Sequence, residues 1–337
     1  MAASQPSLIF VDDDLPGITR RRAGKGWAYF DPHGALIRDP AEKRRLDAIA
    51  LPPAYGDAWF CPAPNGHILA TGTDAKGRKQ YRYNPQFRTE REGEKFDGCL
   101  AFGKLLPLVR RRVELDLAAP GIGKDKSIAA VVRLLDLGAL RIGNKGYARD
   151  NKSFGATTLR NRHAQVTGGK VLLKYRGKHG KLQQVTLADK RLAACVRRMQ
   201  DLPGQHLFQW QDGDGSLHEV SSACVNLWLA ETMGEPFTAK NFRTWHGSAL
   251  AFRLLAEAHE VIPLKVMLDD VAAHLGNTPA VTRRSYIHPA VIALTGEQAE
   301  WRAGLQLPRA TRWLDRHERG LLAHLEQAPA ALDLLAA

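Results

Sequence analysis

The spacing of apolar residues changes character once along this 337-residue chain, close to residue 88. Before that point, short apolar runs are separated by Gly, Pro and Asp, which is typical of strands joined by turns. After it, apolar residues recur at helical spacing, as in residues 126–137, where Gly138 follows as a stop signal. We therefore predict an α+β fold of two domains. Residues 1–88 form a small antiparallel β domain, and residues 89–337 form a larger, mainly helical domain.

Within the first domain, four apolar runs predict strands, at residues 26–30, 58–61, 65–70 and 79–83. Asn65-Gly66 predicts a hairpin turn, because both residues tolerate a positive φ. A helix is expected over residues 40–49, and the domain boundary near residues 84–94, where polar and charged residues replace the apolar pattern.

Within the second domain, two strands joined by a glycine-containing hairpin are expected at residues 171–175 and 182–187. Further helices are predicted by apolar periodicity and stop signals, at residues 221–233, 244–259, 266–275 and 316–325, and the tail from Ala328 is expected to be helical or frayed.

Positive charge is concentrated in the middle of the chain. Residues 91–184 carry a net charge of +12, against +3 before them and −2 after them, out of a total of +13. These basic residues are spread over turns, strands and helices, whereas a membrane-surface helix would show one amphipathic stripe. The distribution favours a nucleic-acid partner, whose phosphates attract such a block.

Other features indicate an intracellular protein. No apolar run approaches the ~20 residues that cross a bilayer, and the N-terminus lacks the pattern of a signal peptide. The four cysteines have no paired spacing, so we expect reduced thiols rather than a disulfide framework or a zinc site: Cys61, Cys99, Cys195 and Cys224. The expected location is cytoplasmic, with no membrane partner.

Common cofactor motifs are missing from the sequence. Residues 120–127 are rich in Gly and Lys but lack the register of a nucleotide-binding P-loop. We therefore predict no cofactor, no metal and no nucleotide.

Tyr286 is the candidate nucleophile. It follows the predicted helix at residues 266–275, which ends at Gly276, and it lies nine residues after Asn277. Arg283 and Arg284 precede it closely. A phenol with a pKa of about 10 is a poor nucleophile. Neighbouring cations favour its oxyanion and attract phosphate, which suits attack on phosphorus.

Four other cations occupy positions from which they could serve the same reaction. Arg141 follows the helix stop at Gly138, Lys178 lies between two glycines at a hairpin tip, and Lys240 and Arg243 have i, i+3 spacing. Taken singly, each is an ordinary surface charge. Together they have a chemical logic, because arginine forks match the oxygens of a five-coordinate phosphorus and a lysine can protonate a departing 5′ oxygen.

In this order, the motifs resemble those of type IB DNA topoisomerases, of the compact kind found in poxviruses and bacteria. Residues 70–83 are similar to the segment of that family that meets DNA near the cleavage site. Arg141, Lys178, the Lys240/Arg243 pair, Asn277 and Tyr286 match its catalytic positions. The resemblance covers nearly the whole chain.

The resemblance implies a mechanism. Tyr286 would attack one strand and become linked to its 3′ phosphate, Arg141 and Arg243 would clamp the phosphate, and Lys178, with Lys240, would protonate the leaving oxygen. The nicked duplex would swivel and be resealed without ATP or metal.

It also implies a partner, double-stranded DNA, bound by a monomer in a C-shaped clamp with a hinge near residues 84–94. A bacterial enzyme of this kind would be nucleoid-associated. The expected DNA contacts are Lys76, Arg78, Gln80, Tyr81, Tyr83 and Lys145.

Two positions depart from the family pattern. Asn277 stands where the family often has His, and an amide can donate a hydrogen bond but cannot shuttle a proton. His179 follows Lys178 where poxvirus members have an acidic residue. His288, two residues after Tyr286, is expected to serve packing or phosphate contact rather than general-base catalysis, because on a shared helix the i, i+2 spacing would face it away from Tyr286.

Two alternatives compete with this reading. A tyrosine recombinase shares the catalytic domain, but its usual His-x-x-Arg differs from Lys240 to Arg243, and its N-terminal domain is usually helical. A non-enzymatic DNA-binding protein would explain the basic block and leave the ordered motifs as coincidence.

Overall fold

The structure is a computed structural model that describes residues 7–336. Residues 1–6 and 337, which belong to the predicted domains 1–88 and 89–337, lie outside the described residues. The chain divides into two compact units, one ending at Glu94 and the other spanning Lys95–Leu335. Over the described range, no helix is both long and apolar enough to cross a membrane.

The first unit contains a five-stranded antiparallel sheet in the order β2-β1-β3-β4-β5. Its strands are β1 (Ile18–Ala23), β2 (Gly26–Phe30), β3 (Gly56–Phe60), β4 (Ile68–Thr73) and β5 (Lys79–Tyr83). Helix α1 (Pro40–Ala48) lies between β2 and β3 in the sequence. The side chain of Asp39 caps it by accepting hydrogen bonds from the amides of Ala41 and Glu42.

The sequence predictions for this unit are confirmed for α1 and for four of the five strands. Strand β1 was not predicted, because its sequence Ile-Thr-Arg-Arg-Arg-Ala lacks an apolar alternation. Its arginines instead stack on aromatic rings, with the Arg20 guanidinium 4.0 Å from the centre of the Trp27 ring.

The hairpin predicted at Asn65-Gly66 is confirmed as the connection of the antiparallel strands β3 and β4, but it is longer than a two-residue turn. These residues lie in the longer connection of residues 61–67 between β3 and β4. Gly66 forms a bridge with Ile9, whose amide donates to the carbonyl of Asn65 at 3.0 Å. The segment around Ile9 therefore forms hydrogen bonds with backbone groups that a two-residue turn would have used within the hairpin.

The second unit is mainly helical. Its helices are the remainder of α2 (Pro85–Ala118), then α3 (Lys124–Gly138), α4 (Lys145–Asn151), α5 (Lys190–Gln200), α6 (Ser222–Met233), α7 (Ala239–Glu257), α8 (Leu264–Leu275), α9 (Pro279–Ser285), α10 (Pro289–Ala293), α11 (Gln298–Gly304), α12 (Arg316–Gln327) and α13 (Ala331–Ala336). Short 3₁₀ turns occur at Ala156–Thr158, Asn161–His163, Lys178–Gly180 and Leu294–Gly296. The predicted α+β class is confirmed.

Two small antiparallel sheets complete this unit. One is three-stranded, in the order β6-β7-β8, and the other is a β9-β10 pair. The strands are β6 (Ala164–Thr167), β7 (Lys170–Arg176), β8 (Leu182–Ala188), β9 (Gln209–Gln211) and β10 (Leu217–Glu219). The hairpin predicted around Lys178 is the β7–β8 connection.

Helix α3 runs through the core, and its residues from Lys126 to Asp136 are buried apart from Arg133. Gly138, predicted as the stop, is its last helical residue, and the left-handed turn that ends the helix falls on Ala139, with φ of +47°. This turn directs the chain into the loop that carries Arg141.

The predicted boundary between residues 88 and 89 falls inside α2, and the predicted hinge at residues 84–94 is helical from Pro85 onward. Both stay predictions. The cysteines are free, as predicted, and are buried except for the half-buried Cys224.

Candidate active site

Arg141 is held by backbone hydrogen bonds on its loop. Its carbonyl accepts from the amide of Ala156 at 2.8 Å, and the next carbonyl, of Ile142, accepts from the amide of Thr157 at 2.7 Å. A Cβ at Gly155 would lie 2.5 Å from the Arg141 carbonyl oxygen. Only glycine permits this close approach, which anchors the arginine at its backbone.

Arg243 is buried on the first turns of α7. Its Nη1 donates to the carbonyl of Ala139, and its Nη2 donates to the carbonyl of Leu275 at 2.8 Å. Its Nε has no acceptor among the described residues. The guanidinium therefore joins the C-terminal ends of α3 and α8, and it keeps one donor unused.

Asn277 follows the left-handed Gly276 that ends α8. Its Oδ1 accepts a hydrogen bond from Nη2 of Arg141, whereas its buried Nδ2 has no acceptor among residues 7–336. A buried donor without a partner is unfavourable unless a ligand supplies an acceptor. Asn277 thus fixes the orientation of Arg141 and leaves an amide N–H group available.

Tyr286 caps the C-terminus of α9, with its amide donating to the carbonyl of Thr282 at 3.0 Å. A Cβ at Gly247 would lie 2.3 Å from the Tyr286 carbonyl oxygen, so the segment passes close against α7. The ring is half-buried, and the guanidinium carbon of Arg243 lies 4.9 Å from its centre.

The pKa of the Tyr286 phenol is shifted by opposing causes. Burial raises it, but the charge of Arg243, a hydrogen bond with Arg243 and the charges of Arg141 and Lys240 lower it by more. The pKa therefore lies below its ordinary value, so the phenolate is more accessible than in free tyrosine.

The two lysines are exposed. Lys178 lies in the β7–β8 connection and lines one small cleft with Arg141 and Arg243, whereas Lys240 is at the start of α7. The described residues that line this cleft include no carboxylate. Positive charge there is therefore not balanced locally, which suits an anion.

Of the predicted site residues, the structure brings Arg141, Arg243, Asn277 and Tyr286 together, with Lys178 and Lys240 near them. Lys145 is exposed, and its Nζ forms an ion pair with Glu219 at 2.7 Å.

Comparison with known proteins identifies the family. A family model described as eukaryotic DNA topoisomerase I, catalytic core, matches residues 84–301, which is more than half of the chain. The chain belongs to the type IB DNA topoisomerases. A second model, described as bacterial DNA topoisomerase IB, N-terminal domain, matches residues 26–74.

Curated relatives agree with this topoisomerase assignment. DNA topoisomerase 1B of Acanthamoeba polyphaga mimivirus is 31% identical over 81% of this chain and 85% of its own length. DNA topoisomerase 1B of Vaccinia virus (strain Copenhagen) is 19% identical over 68% of this chain and 73% of its own length. The predicted resemblance is confirmed, and it decides against a tyrosine recombinase.

The candidate DNA-binding residues of this topoisomerase in the first unit lie on β5 and the turn before it. Asp74 organises this turn, accepting from Nε of Arg78 at 2.8 Å and from Nε2 of Gln80 at 3.0 Å. The side-chain hydrogen bond with Arg78 is the main reason that the pKa of Asp74 lies well below its usual range.

The two aromatic residues of β5 are exposed. Tyr81 and Tyr83 are stacked, with ring centres 5.7 Å apart. Lys76 is exposed in the β4–β5 turn. A stacked aromatic pair beside basic side chains is a surface that suits nucleic acid.

Three residues near the topoisomerase site were not predicted. Tyr175 is buried in the cleft wall, and Gly247 and Ser248 hold the Tyr286–His288 segment, with Ser248 Oγ accepting from the amide of His288 at 2.9 Å. Burial raises the pKa of Tyr175 to about 12 despite the charges of Arg141 and Arg243. Tyr175 lies on β7, three residues before Lys178, and this closeness to a predicted site residue was the sequence signal that could have found it.

His288 serves packing, and its helix is not that of Tyr286. It precedes α10, with its Nδ1 accepting from the amide of Ala290 at 3.1 Å and its ring against Phe96. Burial lowers its pKa to about 4. The expectation that both residues share one helix is wrong, because α9 ends before Tyr286.

Proposed function

We propose that this protein relaxes supercoiled DNA by nicking one strand through a 3′-phosphotyrosyl intermediate on Tyr286, letting the duplex swivel, and resealing it. The observation that carries the proposal is the cluster in which the Arg243 guanidinium faces the Tyr286 ring while Arg141 is bound to Asn277. The family supplies DNA as the substrate.

In the cleavage step, the Tyr286 oxygen forms a bond to phosphorus as the bond from phosphorus to the 5′ oxygen breaks. The lowered pKa of the phenol favours this attack. Asn277 cannot accept the phenol proton as a general base would, so the proton leaves to solvent.

Charge that builds up on the phosphoryl oxygens is stabilised by Arg141 and Arg243, whose forks bind two oxygens at a time. The unpartnered Nδ2 of Asn277 and Nε of Arg243 supply further donors. Preorganised donors of this kind need no rearrangement during the reaction.

The departing 5′ oxygen takes a proton from Lys178, assisted by Lys240. Resealing is the reverse: the 5′ hydroxyl attacks the phosphotyrosine and Tyr286 leaves. The phosphotyrosine bond retains the energy of the phosphodiester, so neither ATP nor a metal ion is required.

The remaining elements of the proposal concern binding. Lys76, Arg78, Gln80, Tyr81, Tyr83 and Lys145 contact the duplex. The protein acts as a monomer that closes around DNA as a C-shaped clamp, with a hinge near residues 84–94.

Plasmid relaxation in EDTA and without ATP tests the proposal. Tyr286→Phe should abolish relaxation and keep salt-sensitive DNA binding, because phosphate contacts dominate affinity. Tyr175→Phe is the matched variant, since it removes the other phenol near Arg141 and Arg243, and it should still relax DNA. Relaxation by Tyr286→Phe would show that the nucleophile is misassigned, and activity lost only in EDTA would contradict the metal-free mechanism.

A further inference from the structure

A buried network of ion pairs lies at the C-terminal end of α3. Arg110, on α2, binds two carboxylates at once: its Nε lies 2.9 Å from Asp136 Oδ2, and its Nη2 lies 2.7 Å from Glu318 Oε1. Asp136 and Glu318 are both buried. The network therefore joins α2, α3 and α12.

Helix α7 joins the same network. His246 Nε2 lies 3.2 Å from Asp136 Oδ1, and Trp245 Nε1 donates to Glu318 at 3.2 Å. His246 is three residues after Arg243, one turn further along α7.

Asp136 also lies close to the site along the chain. It lies in the last turn of α3, three residues before Ala139, whose carbonyl accepts from Arg243, and five residues before Arg141. Helices α3 and α7 thus meet at two points, through a close contact of His246 with Asp136 and through a hydrogen bond from Arg243 to the carbonyl of Ala139.

The charge of Asp136 is maintained by its surroundings. Burial would raise the pKa of its carboxyl, but the Arg110 guanidinium and the contact with His246 hold the pKa well below its usual range. The carboxylate lies between an arginine and a histidine, and its hydrogen bonds to Arg110 orient it at the joint between the helices.

We propose that Asp136 is a positioning residue for the phosphate-binding arginines: it fixes the end of α3 against α7 and so sets the placement of Arg141 relative to Arg243. This inference rests on the proposed roles of both arginines. Asp136 itself acts through them and does not touch the phosphate.

The chain offers a matched control on the same helix. Arg133 of α3 pairs with Asp189 at 2.7 Å, and this pair joins α3 to α5, which carries none of the candidate catalytic residues. Asp136→Asn and Asp189→Asn each remove one carboxylate charge facing an arginine of an ion pair, and only the first touches the α3–α7 joint.

The experiment measures single-turnover cleavage of a suicide duplex at saturating protein, the Kd for that duplex, and the midpoint of thermal unfolding. Asp136→Asn should slow cleavage roughly 10- to 100-fold with a nearly unchanged Kd, since small misplacements of catalytic groups have effects of that size. Asp189→Asn should cleave at close to the wild-type rate, even if its unfolding midpoint falls as much as that of Asp136→Asn. Equal rates for Asp136→Asn and wild type, or equal slowing by both variants, would overturn the inference.

If Asp136→Asn does not fold, His246→Ala tests the same joint from the α7 side. It should slow cleavage in the same direction, and an unchanged rate would also overturn the inference. Tyr286→Phe in the same assay separates the two proposals. Cleavage by that variant would refute the proposed function, whereas inactive Tyr286→Phe with fully active Asp136→Asn would refute the positioning role alone.

Discussion

The guanidinium carbon of Arg243 lies 4.9 Å from the centre of the Tyr286 ring. This one relationship links the two parts of the proposed chemistry, because the same cation that lowers the phenol pKa also belongs to the phosphate-binding pair. Its position is fixed by the carbonyls of Ala139 and Leu275. The following variants test what this arrangement does.

Lys240→Gln should move the pH dependence of cleavage. Lys240 is one of the cations that lower the pKa of Tyr286, so its loss raises that pKa. In single-turnover measurements, the cleavage rate should rise with pH over a range that is shifted to higher pH than in the wild type. Arg283→Gln is the control, because Arg283 is exposed on α9 and is not among the groups that shift Tyr286. Equal shifts in both variants would contradict a specific effect of Lys240.

Asn277→Asp should impair cleavage more than Asn277→Ala. Loss of one preorganised donor slows related reactions roughly 100-fold or more, which is the effect expected for Ala. Aspartate has nearly the same shape but also neutralises Arg141 and repels the phosphate. The check is the single-turnover rate at saturating DNA, and an Asp variant as fast as wild type would exclude a donor role for the amide.

Gly247→Ala should displace Tyr286. The added methyl group would lie 2.3 Å from the Tyr286 carbonyl oxygen, which forces the segment away from α7. We expect cleavage to slow by about 100-fold and stability to fall by ~1–3 kcal/mol. Gly304→Ala in α11 has no atom within 4 Å of the new Cβ and should change neither quantity adversely. A normal cleavage rate for Gly247→Ala would argue against tight placement of the nucleophile.

His288 should contribute to loss of stability in acid. Its pKa is about 4 when folded, against an ordinary 6.5, so below pH 6.5 the unfolded chain takes up a proton that the folded protein refuses. The free energy of unfolding should therefore fall as pH drops from about 6.5 to about 4, by up to ~3 kcal/mol from this group. Denaturant titrations of wild type and His288→Asn compare the slopes. Parallel curves would show that His288 is not responsible.

Local patterns sufficed for much of the fold. The apolar periodicity of α3, the glycine-flanked β7–β8 hairpin and the stop after α8 each depend on neighbouring residues, so the sequence predicted them. Strand β1 and the connection at residues 61–67 did not follow local rules, because stacking of Arg20 on Trp27 and pairing of Gly66 with Ile9 involve distant partners.

The candidate site also has a part that the sequence predicted and a part that only the packing reveals. The order of the motifs led to Tyr286 and its cations through a family resemblance, and their roles stay predictions. No local pattern could have revealed Arg110 bound to Glu318 across 208 positions of the chain. Such contacts come into being only when helices pack.

The most direct test of the central claim is to trap the covalent adduct on a suicide duplex in EDTA without ATP, digest it, and map the modified residue by mass spectrometry. We expect a 3′ phosphate linked to Tyr286. A linkage to any other residue, a linkage through the 5′ phosphate, or an adduct that forms only when metal is added would contradict it.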